Sequence, residues 1–130
     1  MSTDPRFAFI KIFVDDLVTE AVFYTSTFGM SEKARLAFGE GADALEEIIL
    51  TTARDDDSNF ILWRYLERST PPAGEATLGF TVADVEDIAR KAEINGGSIV
   101  QPPKTMPEAG VAVAFIADPE GHVIEVVQYL

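Results

Sequence analysis

Two stretches of this chain superpose when it is slid by 68 positions, and that repeat limits its fold more than any other feature. Ile10 to Leu17 reads IKIFVDDL and Leu78 to Val85 reads LGFTVADV. In this register Val14 falls on Val82, Asp16 on Asp84, Ala21 on Ala89 and Gly29 on Gly97. Each copy reads as a strand, an acidic turn, a helix and a glycine stop. A half of this kind holds one helix and about four strands, too little to bury its own apolar face, so the halves must pack against each other or against another subunit. Chance likeness between two strand–helix units is the competing explanation.

The elements follow from local chemistry. Phe7 to Val14 (FAFIKIFV) is apolar, aromatic and β-branched, and reads as a central strand. Asp15 or Asp16 caps a helix in which Leu17, Ala21, Tyr24 and Phe28 recur at helical spacing, and Gly29 ends it. Strands are predicted near Lys33 to Phe38, over Leu45 to Thr52 and over Asn59 to Leu66, with Asp55, Asp56 and Asp57 in an exposed hairpin loop. Thr70 to Glu75, holding Pro71, Pro72 and Gly74, reads as a linker. In the second half, Thr77 to Val82 is a strand and Asp84 starts a helix from about Val85 to Asn95, stopped by Gly96 and Gly97. Ser98 to Gln101 is a short strand closed by Pro102 and Pro103, followed by a loop from Lys104 to Gly110. Val111 to Ala117 and His122 to Gln128 are strands around a tight turn. The expectation is one α+β domain over 1–130, with module 1 about 6–69, a linker at 70–75 and module 2 about 76–130.

Composition excludes several functions. With no cysteine, disulfides, thiolate metal sites and a cysteine nucleophile are ruled out. A net charge of −12 repels phosphate backbones, so nucleic acid is not an expected partner; it attracts cations at long range, besides keeping the protein soluble. Met1 to Arg6 has no basic region followed by an apolar run, and no run reaches membrane-spanning length; a cytoplasmic protein is expected. No glycine-rich phosphate loop follows a strand, and the single histidine, His122 beside Gly121, makes a Ser–His–Asp arrangement unworkable.

Val14 to Met30 (VDDLVTEAVFYTSTFGM) and Val113 to Gln128 (VAFIADPEGHVIEVVQ) resemble the glyoxalase, bleomycin-resistance and extradiol-dioxygenase superfamily, with its vicinal oxygen chelate fold. That resemblance implies two βαβββ modules whose strands curl into a cup-shaped mixed sheet, a pocket within the cup and a homodimer. Metal-dependent members carry a ligand on the first strand of each module and another on a later strand. The resemblance puts these positions at Phe9, Thr77, Ile49 and Glu125, with Glu47 the alternative to Ile49. Only Glu125 is a ligand type, so no metal and no other cofactor is expected.

Strand alternation suggests a cup lined by Phe9, Lys11, Phe13, Ile49 or Glu47, Trp63 or Arg64, Thr77, Thr81 and Val127. Such a lining suits an aromatic, amphipathic or cationic small molecule, although aromatics at strand spacing are core more often than ligand contacts. Glu125 reads either as a general base or as a structural group paired with Lys11. The resulting functional expectation is a metal-free small-molecule binding or sequestering protein. The alternative is a metal-independent or degenerate glyoxalase-like isomerase or lyase using Glu125 as general base.

Overall fold

The structure is a computed structural model and describes residues 3–130; the first two residues of the polar Met1 to Arg6 stretch lie outside the described residues. Module 1 runs β1 (Phe9–Phe13), α1 (Leu17–Phe28), β2 (Ser31–Phe38), β3 (Leu45–Thr51) and β4 (Asn59–Tyr65). Module 2 runs β5 (Thr77–Thr81), α2 (Val85–Ile94), β6 (Ser98–Met106), β7 (Val111–Ala117) and β8 (Val123–Tyr129). Each module is therefore βαβββ. The strand orders are β1-β4-β3-β2 and β5-β8-β7-β6. In both sheets the first strand runs parallel to the last strand of its module and the other pairings are antiparallel.

The repeat register holds atom by atom at the helix starts. Asp16 and Asp84 both adopt extended backbone, and each side chain accepts a bond from an N–H three residues on, Thr19 N at 3.0 Å and Asp87 N at 3.2 Å. These bonds satisfy donors that a helix start leaves orphaned. The Thr19 bond lowers the Asp16 carboxyl below its ordinary range. A lowered carboxyl stabilises the fold above its unfolded value and loses that contribution as pH falls through the folded value. Asp16→Ala is accordingly expected to lower the melting temperature at neutral pH, and thermal scans should show the gap to the parent protein closing as pH drops below about 3.8.

Two strands differ from expectation. β1 is an edge strand rather than a central one, bonded only to β4. Its inner residues Ile12 and the following Val14 are buried, while Phe9 remains half exposed, so its double-sided apolarity does not come from burial within this chain. β6 continues through Pro102 and Pro103 instead of stopping at Gln101. It too lies at a sheet edge, where missing ladder donors are tolerated, and its pairing with β7 shifts register on both sides of Gln101.

One core joins the modules. Ile12, Val14, Ile48, Leu50, Phe60 and Leu62 from sheet one, and Leu78, Ala112, Ala114, Ile116, Ile124 and Val126 from sheet two, bury against Phe23, Tyr24 and Ala92 of the helices. Phe28 of α1 stacks on Phe80 of β5 with ring centroids 3.9 Å apart. Gly97 is pressed between β7 of its own module and α1 of the other: a Cβ there would lie 2.3 Å from the Ala117 carbonyl oxygen and 2.6 Å from the Phe23 ring. The backbone of β7 cannot yield as a side chain can. Gly97→Ala should therefore destabilise by about 1–3 kcal/mol, read as a lowered denaturant midpoint. Among the described residues no helix is long and apolar enough to cross a membrane.

Candidate functional site

The cup-facing positions fall on the sheet faces turned away from the helices. On the first sheet Trp63 pairs across the ladder with Phe13 on one side and Glu47 on the other. Lys11 Nζ lies 3.0 Å from Glu47 Oε2 and 3.9 Å from the centroid of the Trp63 ring. This corrects the expected Lys11–Glu125 pair: the buried Glu47, not Glu125, neutralises Lys11. Phe13 stacks on Tyr65 and tilts against Trp63. Ile49 shares the Glu47 face and pairs with Ile61, whereas Arg64 points to the opposite side and reaches Glu46. The Trp63 indole N–H is buried without an acceptor among the described residues.

On the second sheet Glu125 sits at the middle of β8, paired with Gly79 on β5 and Phe115 on β7. Thr77 and Thr81 are exposed and oppose Val123 and Val127. Glu125 is half-buried, and no cation pairs with it among the described residues. Nothing lies within 4 Å of where a Gly79 Cβ would stand, so the Glu125 carboxylate borders open space. The structure thus divides the predicted lining: Phe9, Lys11, Phe13, Glu47, Ile49 and Trp63 lie on one sheet, and Thr77, Thr81, Glu125 and Val127 on the other. A groove of about 680 Å³ runs beside β5, lined by Thr77, Gly79, Thr81, Phe80, Ile10 and Phe28 among others.

A second cluster lies inside the molecule. Glu20 on the buried side of α1, Asp118 at the end of β7 and His122 at the start of β8 bring one donor atom each to within 4.8 Å of one another. Asp118 is held on all sides. Its Oδ1 accepts from the backbone N–H groups of Glu120 and His122 at 3.0 Å, and its Oδ2 accepts from the Tyr24 hydroxyl at 2.8 Å. His122 Nδ1 lies 2.8 Å from Asp118 Oδ2 and 3.6 Å from Glu20 Oε1, and its Nε2 lies 3.0 Å from the Phe13 carbonyl oxygen. Glu120, in the same turn, accepts from the N–H groups of Asp15 and Asp16 at 2.8 and 2.9 Å. The last turn of module 2 thereby grips the β1–α1 turn of module 1.

Electrostatics follow from that enclosure. Burial, reinforced by the Asp118 charge, pushes the Glu20 carboxyl up to about 7. Burial opposes a charge on His122, but the bond to Asp118 and the nearby Glu20 carboxylate outweigh it and hold the imidazole at about 10. Burial opposes the Asp118 charge as well, and bonds from His122 and Tyr24 prevail to keep that carboxyl low. Desolvation and the Asp118 charge raise the Tyr24 phenol well above its ordinary value.

This cluster overturns the expectation of a metal-free binding or sequestering protein. One imidazole nitrogen and two carboxylates stand together, and both Glu20 oxygens are buried without a hydrogen-bond partner among the described residues. In the sequence His122 stands as the single histidine at a hairpin edge, and strand alternation sets it out of phase with Glu125. Glu20 did carry a readable signal, since it shares the apolar side of α1 with Leu17, Tyr24 and Phe28. At the first-strand positions Phe9 and Thr77 the side chains offer no carboxylate or imidazole, nor does Ile49, so the cup of this chain does not fit the ligand set of metal-dependent members.

The βαβββ duplication defines a fold class, and comparison with known proteins gives it a family. Residues 6–126 match the model of the Glyoxalase/Bleomycin resistance protein/Dioxygenase superfamily. The chain belongs to that superfamily. A lactoylglutathione lyase of Arabidopsis thaliana is 25% identical over 133 aligned residues, covering 95% of this chain and 44% of that protein. The chain therefore spans less than half the length of this curated relative. A glyoxalase family protein from Bacillus cereus superposes with a TM-score of 0.82 at 21% identity, over 100% of this chain and 99% of the other. A glyoxalase I variant from Zea mays does so at 0.77 with 20% identity, over 93% and 46% of the respective chains.

Proposed function

We propose that this chain is a glyoxalase-like isomerase or lyase in which Glu125 is the general base for a small molecule carrying a C–H bond next to a carbonyl. The observation that carries this reading is the half-buried Glu125 carboxylate, without a cation among the described residues, beside the open space over Gly79. A carboxylate so placed can take a proton from carbon within about 3 Å, the electron pair passing onto the carbonyl oxygen to give an enediolate. On a substrate whose C–H carbon bears a hydroxyl, the carboxylic acid then returns the proton to the former carbonyl carbon while the hydroxyl proton passes to the former carbonyl oxygen, and the net reaction is an isomerisation with no atom gained or lost. The Thr77 and Thr81 hydroxyls on the same sheet are the proposed donors to substrate oxygens. Phe9, Phe13, Ile49, Trp63 and Val127 are the proposed apolar walls, with the Lys11–Glu47 pair as a polar point.

Because the two sets of lining residues lie on different sheets, a complete cup on this reading is assembled in a homodimer. Among the described residues the outer edges of β1 and β5 have no strand partner, and Phe7, Phe9 and Ile10 are exposed on or beside β1; such edges call for cover. A cytoplasmic setting and no nucleic-acid partner fit the same reading. The test is incubation of the protein, as purified, with the thiohemiacetal of glutathione and a 2-oxoaldehyde. Thioester product is expected; recovery of unchanged thiohemiacetal from a folded dimer would reject this substrate.

A further inference from the structure

We propose that Glu20, Asp118 and His122 form a buried structural site for a divalent transition-metal ion, zinc being the best fit, which fastens the last turn of module 2 to helix α1. This site is separate from the sheet face that carries Glu125. Three observations carry it. First, Glu20 is fully buried with both carboxylate oxygens unpartnered and one of them 3.6 Å from His122 Nδ1. A carboxylate enclosed in that way requires a proton or a cation. Second, the Phe13 carbonyl oxygen accepts from His122 Nε2, while Nδ1 points at the two carboxylates and donates to Asp118 Oδ2 at 2.8 Å, a proton that an entering ion would displace. An imidazole pinned through one nitrogen by a backbone carbonyl, with the other aimed at anionic donors, is how proteins orient a metal-binding histidine. Third, Asp118 is fixed by Tyr24 and two backbone N–H groups before any ion arrives, as ligating carboxylates generally are.

The donor chemistry selects the ion. Two carboxylate oxygens and one imidazole nitrogen suit zinc or a neighbouring first-row metal, whereas calcium requires six to eight oxygens and magnesium keeps several waters. Two anionic ligands balance a doubly charged ion. Three protein donors leave one position of a tetrahedral ion to a small ligand such as water, and enclosure between α1 and the turn keeps a substrate from it, which favours a structural over a catalytic part.

The probe is Zn²⁺ added to protein stripped with a chelator, with Mg²⁺ as comparison. The expected result is about one Zn²⁺ bound per chain, a rise of several degrees in melting temperature with Zn²⁺ and none with Mg²⁺. Glu20→Gln should abolish that rise, while a surface variant, Asp55→Asn with Asp56→Asn, should retain it. His122 is the sole histidine, so its ring resonances report the site without any variant. They should shift with one equivalent of Zn²⁺ and broaden or shift strongly with paramagnetic Co²⁺. If Zn²⁺ leaves both the melting temperature and the His122 resonances unmoved, the cluster holds protons rather than a cation and the proposal falls. It falls equally if Zn²⁺ binds but only the Asp55/Asp56 variant loses the effect. Because the readouts are stability and resonance position, failure here leaves the reading of Glu125 untouched.

Discussion

Replacing Asp118 with alanine is expected to cost about 3–5 kcal/mol, the usual penalty for breaking one side of a buried charge pair. The substitution strands several groups at once. His122 loses the carboxylate 2.8 Å from Nδ1, the buried Tyr24 hydroxyl loses its acceptor, and the N–H groups of Glu120 and His122 lose theirs. Domains of this kind have a total stability of only about 5–15 kcal/mol, so the loss takes a large share of it. Denaturant titration should show the midpoint falling with little change in slope. Asp118→Asn, which keeps the shape but not the charge, should cost less. Tyr24→Phe should remove about 1.5–3 kcal/mol, the range for one bond to a charged acceptor. Equal stability of Asp118→Ala and the parent protein would mean that the grip between the modules lies elsewhere.

The second large effect concerns turnover. Glu125→Gln is expected to lower the rate on the thiohemiacetal by about 10²–10⁴-fold, the usual contribution of a positioned general base. Glutamine is nearly isosteric, and Glu125 holds no ion pair among the described residues, so melting temperature should barely move. Ligand affinity should change far less than rate, because an interaction used only in the transition state affects turnover more than binding. Glu125→Asp, with the carboxylate drawn back by one methylene, should restore part of the rate.

How much of this could be read in the sequence depends on the distance over which each feature is determined. Both helix starts were legible because an Asp cap bonds an N–H three residues away. The stop at Gly29 was legible because its left-handed backbone, at φ 71°, favours glycine. The edge position of β1 was not legible: FAFIKIFV has the apolarity of a central strand, and only the pairing with β4, some fifty residues on, shows that its other edge is free. The run of β6 through Pro102 and Pro103 was missed because proline reads as a stop unless the strand is known to be an edge. In the candidate site, alternation placed Phe13, Trp63 and Glu47 on one face, but could not show that Lys11 turns to Glu47. Glu20 was visible as a charge in an apolar helical stripe; its partners Asp118 and His122 lie about a hundred residues away and reach it only through the packing of the two modules.

The most direct test of the central claim is a single-turnover comparison of the thiohemiacetal with its analogue deuterated at the carbon to be deprotonated, run on the parent protein and on Glu125→Gln. Proton abstraction by Glu125 predicts a measurably slower reaction of the deuterated substrate with the parent protein and almost no product with the variant. Equal rates for the two proteins, or a parent rate indifferent to deuterium, would contradict it.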